Sequence, residues 1–405
     1  MNAVQQPFRV LTIALGAFGA CWAAPASASA QTQAAGDWIV DTRLRYESVA
    51  QDGLNDADAL TLRSRLGYET RAFNGFKFLA ELEGVAQLTD DFNDTVNGNT
   101  AFAIVSDPEA FELNRLQVTW ASAQGRRVVA GRQRIVLNNA RFVGNVGFRQ
   151  NEQTFDALRI EARPFEHAAF TYVYIDNVRR IFGDDSAQGE WDSDSHVLQA
   201  DLDLPVGRLS AYGLLLDFQN APTQSSQTYG LRWSNEWQAG SFHPRLTLEA
   251  AAQSDYRGNS AGFDLGYQHG ELAVRHDRWT VTVGGERLEG DGVRGFSTPL
   301  ATLHAFQGWA DVFLATPPDG VRDLYAGVSY STRPWPAQQP VVFNVVAHDF
   351  TDDGGSADFG SELNASVRLS LNERVSLESK AAMFEGEDPR FADRTKIWFA
   401  VEYRL

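Results

Sequence analysis

Alternate residues from Trp38 onward sort into two faces. Trp38, Val40, Leu44 and Tyr46 lie on one side with Thr42, while Asp37, Asp41, Arg43, Arg45 and Glu47 lie on the other, Ile39 being the exception. Successive side chains of a β-strand point to opposite faces, so this segment is a strand with one greasy and one charged side. The same alternation returns at intervals as far as Leu405. A soluble sheet buries its apolar face against a second layer, and no helical periodicity here supplies one. The remaining solution is a closed barrel whose apolar outside meets lipid and whose polar inside meets water. The expected fold is all-β: a transmembrane antiparallel barrel of the bacterial outer membrane.

Alternating segments fall at about 38–49, 60–71, 75–88, 111–121, 126–137, 154–163, 168–178, 195–204 and 207–218. A second run lies at about 227–238, 244–254, 263–274, 278–288, 322–332, 340–350, 359–369, 374–384 and 395–405. That is about 18 strands, an even number, as bacterial outer-membrane barrels require. Connections after even-numbered strands are brief, as at Ala72-Phe73-Asn74, Pro205-Val206 and Arg275-His276-Asp277. Most connections after odd-numbered strands are long: 89–110, 138–153, 179–194 and 289–321. Short turns at one rim and long loops at the other are what an outer-membrane barrel shows, the long loops facing outward. Those loops are also acidic, as in TDDFNDTVNGNT and GDDSAQGEWDSD, so much of the formal charge of -17 sits away from the pore wall. A chain this acidic is not built for nucleic acid. The acidic loops suit solubility and divalent cations between lipopolysaccharides. A dedicated calcium site is the alternative, but no EF-hand spacing occurs.

The first 30 residues read as a secretory signal: Arg9, a mostly apolar run from Val10 to Ala24, then Ala28-Ser29-Ala30 for cleavage. Phe18-Gly19-Ala20-Cys21 offers a lipoprotein reading, for which Phe fits its first position poorly. With the signal goes Cys21, the single cysteine, and with it any thiol chemistry. Residues 31–405 then form one barrel domain, since no linker or composition break divides them. No later stretch approaches the ~20 apolar residues that a membrane helix needs. The mean hydropathy of -0.30 is no argument against a membrane, because alternating strands average out.

The basic residues are nearly all arginine, and eight of them fall on inferred inward faces of the first six strands: Arg43, Arg45, Arg63, Arg65, Arg115, Arg132, Arg134 and Arg159. A column of permanently charged guanidinium forks in a water-filled lumen draws anions. Equally, Glu47, Glu69, Glu81, Glu83 and Glu161 on nearby strands can turn the arginines into a ladder of ion pairs bracing the wall. Later strands offer acidic inward candidates: Asp201, Asp203, Glu249, Glu286, Glu362 and Glu378. The expectation is a transverse field, an arginine wall facing a more acidic one.

Three segments resemble the alginate-export family of outer-membrane porins: residues 131–160 (GRQRIVLNNARFVGNVGFRQNEQTFDALRI), 43–70 and 294–317. The resemblance implies a barrel of about eighteen strands and an arginine-rich lumen for an anionic polyuronate such as alginate. It places Arg132 and Arg134 at the family's G-R-x-R positions, with Arg141 and Arg149 in the loop that follows. This chain is shorter than the exporters proper and more acidic in its later strands.

Loop 138–153, with Arg141, Asn145 and Arg149, is rich in planar hydrogen-bonding groups that suit sugars and carboxylates. Loop 289–320 adds Phe296, His304, Phe306, Trp309 and Phe313, which can stack on solutes but suit packing better, as a short helical lid. Enzyme signals are thin. Gly258-Asn259-Ser260-Ala261-Gly262 matches G-x-S-x-G but lies in a loop between strands, not at a strand–elbow–helix turn. The seven histidines show no metal spacing. The functional expectation is a channel, not an enzyme, passing small hydrophilic or anionic solutes, with neither cofactor nor metal implied. Its partners are outer-membrane lipid, lipopolysaccharide and the solute. A barrel lipid hydrolase and a surface adhesin are the alternatives.

Overall fold

The computed structural model describes residues 36–334 and 339–405. The signal-peptide expectation for residues 1–30 falls outside them. The described chain forms eighteen strands in antiparallel succession. The first nine are β1 (Gly36–Gln51), β2 (Ala57–Thr70), β3 (Phe76–Gln87), β4 (Ala110–Ala121), β5 (Arg127–Gln133), β6 (Thr154–Phe165), β7 (Ala168–Arg179), β8 (Glu190–Leu204) and β9 (Gly207–Leu216). The others are β10 (Ser226–Glu236), β11 (Phe242–Asp255), β12 (Asp264–His276), β13 (Trp279–Leu288), β14 (Val321–Thr332), β15 (Val341–Thr351), β16 (Asp358–Ser370), β17 (Val375–Gly386) and β18 (Arg394–Arg404). Each strand pairs with its neighbours in sequence, and β18 returns to β1 with Arg43 opposite Glu402 and Glu47 opposite Trp398. The sheet is therefore closed and has no free edge.

Alternation decides what faces where. Arg43, Arg45 and Glu47 are buried inside, while Leu44 between them is exposed on the outer surface. Leu66, Phe78, Leu116, Val281, Val345 and Ile397 continue that outer surface around the barrel. An exposed apolar belt on a closed sheet is stable only in lipid. At the short-turn rim the belt ends in aromatics: Trp38 against Tyr68 (5.1 Å between ring centres), Trp279 against Tyr330 (4.5 Å), and exposed Phe73 and Phe165. Rings with an apolar body and a polar edge favour that water–lipid boundary. No helix among the described residues is long and apolar enough to cross a membrane. Crossing falls to the strands.

The structure departs from the sequence expectation at two strands. The fifth ends at Gln133, not near 137, because the chain turns into the lumen at Arg134. The eighth begins at Glu190, not near 195. Its first residues carry polar groups on both faces, Ser193 and Ser195 inside and Asp192 and Asp194 outside, so no alternation of hydrophobicity marks them.

Candidate permeation path

The interior is set by two long loops that fold inward, 134–153 between β5 and β6 and 289–320 between β13 and β14. They pair with each other: Gly144 N–H donates to the Leu300 carbonyl (2.8 Å) and Thr302 N–H to that of Ala140 (3.0 Å). Arginines of β1 hold the first loop. Arg43 donates to Gln150 Oε1 (2.9 Å) and to the carbonyls of Gly147 (3.0 Å) and Phe148 (2.9 Å). Arg45 bonds the Phe148 carbonyl and the Asp107 carboxylate. A guanidinium offers five donors in a fixed fork, which is why arginine can satisfy a whole buried turn of backbone.

The remaining wall arginines are paired too. Arg63 meets Asp41 and Glu402, Arg65 meets Glu83 and the loop's Glu152, and Arg115 meets Glu81 (2.5 Å). Arg134 pairs with Glu152 and Arg159 with Glu161. Arg132 grips Asp156 (2.7 Å), and strand register sets it in a row with the exposed Leu116, whereas Arg159 stands in the row of buried Thr119 and Val129. The inward phase of β5 is set by Val129 and Gln133, neither of which is charged, so G-R-x-R alone does not reveal it. The acidic residues of later strands are likewise engaged: Asp201 with Arg208 (2.9 Å), Glu249 with Arg232 (2.5 Å) and Glu286 with Arg141 (2.7 Å).

Arg141 and Arg149 tie the loop across the barrel. Arg149 bridges Glu47 on β1 (3.2 Å) to Asp311 in the second loop (3.0 Å). Arg141 reaches the far wall, donating to Glu286 on β13 (2.7 Å), Thr298 Oγ1 (3.0 Å) and Gln307 Oε1 (3.2 Å). Asn145 donates to Glu152 (2.5 Å). Burial alone would raise the Glu152 carboxyl, but Arg65 and Arg134 outweigh it and hold it at about 2. Where Phe148 meets the second loop, its ring stacks on His304 at 3.4 Å. Lys380 Nζ donates to His304 Nε2 (2.6 Å), so the proton of this imidazole sits on Nδ1 and is donated to Asp311 (2.7 Å). Complete burial pushes His304 down to about 3, in keeping with a neutral ring.

Two cavities stand out among the described residues. An outer vestibule of about 780 Å³ is walled by the loops, with Arg180, Trp191, Phe263 and Arg294 on it. An inner chamber of about 580 Å³ lies off-centre against β10–β15, lined by Arg232, Arg245, His269, Glu271, Asp323 and His348 among others. Gln307 lines both. It is held there by Arg141 and by its own bond to Glu286. Gly308 follows with φ of 79°, and a Cβ on it would collide with the Glu362 carboxylate. That carboxylate accepts the backbone N–H groups of Trp309 (2.5 Å) and Ala310 (3.0 Å). The partition between the cavities is thus a built element.

None of the eight wall arginines lines either cavity. The arginines that do are Arg141, Arg180 and Arg294 outside and Arg232 and Arg245 inside. Arg232 was legible, because it alternates between Leu231 and Trp233 just as Arg43 does between its neighbours. Arg180 was not, since a loop has no parity. Its guanidinium lies 3.9 Å from the centre of the Trp191 ring and donates to the Gln188 carbonyl (3.0 Å). It makes no ion pair among the described residues, and burial lowers it to about 10. Of the aromatics in the second loop, Phe296 and Phe313 are buried in packing, while Phe306 and Trp309 face the chamber. The expected helical lid is only a 3₁₀ turn, Leu303–Ala305. The G-x-S-x-G residues stay in the β11–β12 loop, where Asn259 donates to the Ser225 carbonyl (2.8 Å).

The barrel has the fold of solved outer-membrane porins. It is similar to OccAB4 of Acinetobacter baumannii, with 12% identity over 93% of this chain and 100% of that one, at a TM-score of 0.71. OpdK of Pseudomonas aeruginosa matches at 13% identity over 91% and 98% of the two chains, with a TM-score of 0.69. OccK5 (OpdH) of the same organism matches at 14% identity over 91% and 98%, with a TM-score of 0.67. No family model matches the sequence, and no curated protein matches it by sequence. These findings overturn the alginate-export resemblance. Its motifs were arginines alternating with apolar residues around an inward loop, which eighteen-stranded barrels of unrelated sequence can share.

Proposed function

We propose that the protein is a passive channel of the outer membrane for small hydrophilic solutes, with a preference for anions. The carrying observation is the pair of cavities on either side of Gln307, with cationic groups on both. Arg180, stacked on Trp191 and without a carboxylate partner, is the strongest of these as an anion contact. Arg232 and Arg245 continue the path on the inner side. Arg43, Arg45 and Arg65 serve it indirectly, by seating the loop that makes the passage narrow and eccentric. Such a passage suits compact solutes. OpdK was solved with vanillate, which makes a small aromatic carboxylate a sensible first probe.

The test is a planar-bilayer recording under a salt gradient. Stable conductance with anion preference, reduced by vanillate and less sensitive to it after Arg180→Gln, is the expected result. Absence of conductance would remove the channel reading and revive the adhesin or hydrolase alternatives. Cation preference would leave a channel but refute the assigned roles of Arg180 and Arg232.

A further inference from the structure

The outer surface carries a feature that permeation does not use. Arg287 on β13 and Arg322 on β14 are cross-strand partners. Their neighbours Glu286, Leu288, Val321 and Asp323 are buried inside, so alternation sends both arginines outward. Beneath them the outward rows are apolar, through Val283, Val281, Leu324 and Val328, down to Trp279 and Tyr330 at the short-turn rim. Arg322 stands eight positions up β14 from Tyr330. At about 3.4 Å per residue and a tilt of about 40° that is roughly 21 Å. The apolar band of such barrels is about 25 Å tall, so a long arginine stem brings its head to the outer headgroup level.

The two arginines differ in their partners. Arg287 donates to Glu289 (2.9 Å) and to the Asp353 carbonyl (2.9 Å). Arg322 makes no ion pair among the described residues, and its Nε is buried without a hydrogen-bond partner. Its two Nη atoms lie 2.7 Å from where a Cβ on Gly355 would stand, so the guanidinium packs against the bare backbone of that glycine. Asp349, diagonal to it across β15, is exposed and forms no bridge to it. A half-buried guanidinium without a counter-ion is a ready partner for phosphate.

Next to this pair, the outward faces of β10–β12 form a depression of about 410 Å³ with Ala250, Ala252 and Gly266 as its floor and Tyr229, Leu231 and Gln268 at its edges. Gly266 N–H donates to the Glu289 carboxylate (2.7 Å), the same group that holds Arg287, so the depression and the arginine pair adjoin.

We propose that the outer face of β10–β14 binds a phosphorylated glycolipid of the outer leaflet, a phosphate on Arg322 beside Arg287 and an acyl chain in the depression. A cation without a carboxylate partner at the headgroup level calls for an anion that resides there. The unpaired charge therefore selects an anionic lipid.

The full chain in phosphatidylcholine nanodiscs, loaded with diphosphoryl lipid A or its dephosphorylated form, tests this by native mass spectrometry. Phosphorylated lipid A is expected to be retained preferentially. Arg322→Gln lowers retention about tenfold, as expected for one charge-assisted hydrogen bond. Ala252→Trp, which fills the depression, lowers it independently, and conductance is unchanged in both. Equal retention of the two lipids, or undiminished retention by Arg322→Gln, overturns the proposal. So does inorganic phosphate binding as tightly as lipid A, or an Arg322→Cys cross-link joining two copies.

Discussion

Removing Arg141 should open the partition. Its guanidinium donates to one carboxylate, Glu286, and to two neutral acceptors, Thr298 and Gln307, and lies 4.8 Å from the centre of the Phe306 ring. The residue is only 1% exposed, so these bonds have no water to replace them. Arg141→Ala strands Glu286, whose remaining donors are Tyr267 Oη–H (2.7 Å) and Gln307. Breaking a buried pair on one side costs about 3–5 kcal/mol. Charged to the seated loop alone, that raises the loosened population by about 150- to 4,000-fold. Single-channel recordings should show frequent excursions to a larger conductance, since vestibule and chamber meet at this point. Arg141→Met combined with Glu286→Gln removes both charges and should restore much of the quiet trace, because a neutral pair leaves no buried charge unpaired. Equal noise and conductance in Arg141→Ala and the parent would refute the reasoning. So would a double variant noisier than the single one.

Four further outcomes follow from the same geometry. Arg232→Glu with Arg245→Glu should move the reversal potential toward cations, because both groups line the inner chamber. Reversing the paired Arg63 and Arg65 should instead show first as loss of folded barrel in a heat-modifiability gel. A lowered pH should unseat the loops: His304 is held at about 3 against an ordinary 6.5, so the loosened state takes up the proton first. The seated state is then fully favoured above about pH 6.5 and loses about 1.4 kcal/mol per pH unit as pH falls toward 3. More gating events at pH 5 than at pH 7, and a flatter profile in His304→Gln, would show it. Gly308→Ala should cost about 1–3 kcal/mol, from a positive φ and the Glu362 collision, and raise the same excursions in bilayer recordings.

The container was legible because its cause is local. A strand through lipid must alternate, and a turn at the inner rim must be short, so Trp38 to Val49 and its seventeen successors carried the barrel in their own residues. Inward orientation of Arg43, Arg45, Arg63 and Arg65 followed from the same parity. Parity cannot say what an inward side chain meets. Whether Arg43 faces water or the carbonyls of Gly147 and Phe148 depends on a loop about a hundred residues away in sequence. Only closure of the barrel brings Arg141 to Glu286 or His304 to Lys380. The cavities, and with them Arg180 and Arg232 as lining groups, exist where the folded loops leave space. That is a property of how the interior is filled. Alternation determined which face of each strand is polar, and tertiary packing decided which of those polar groups remain free to meet a solute.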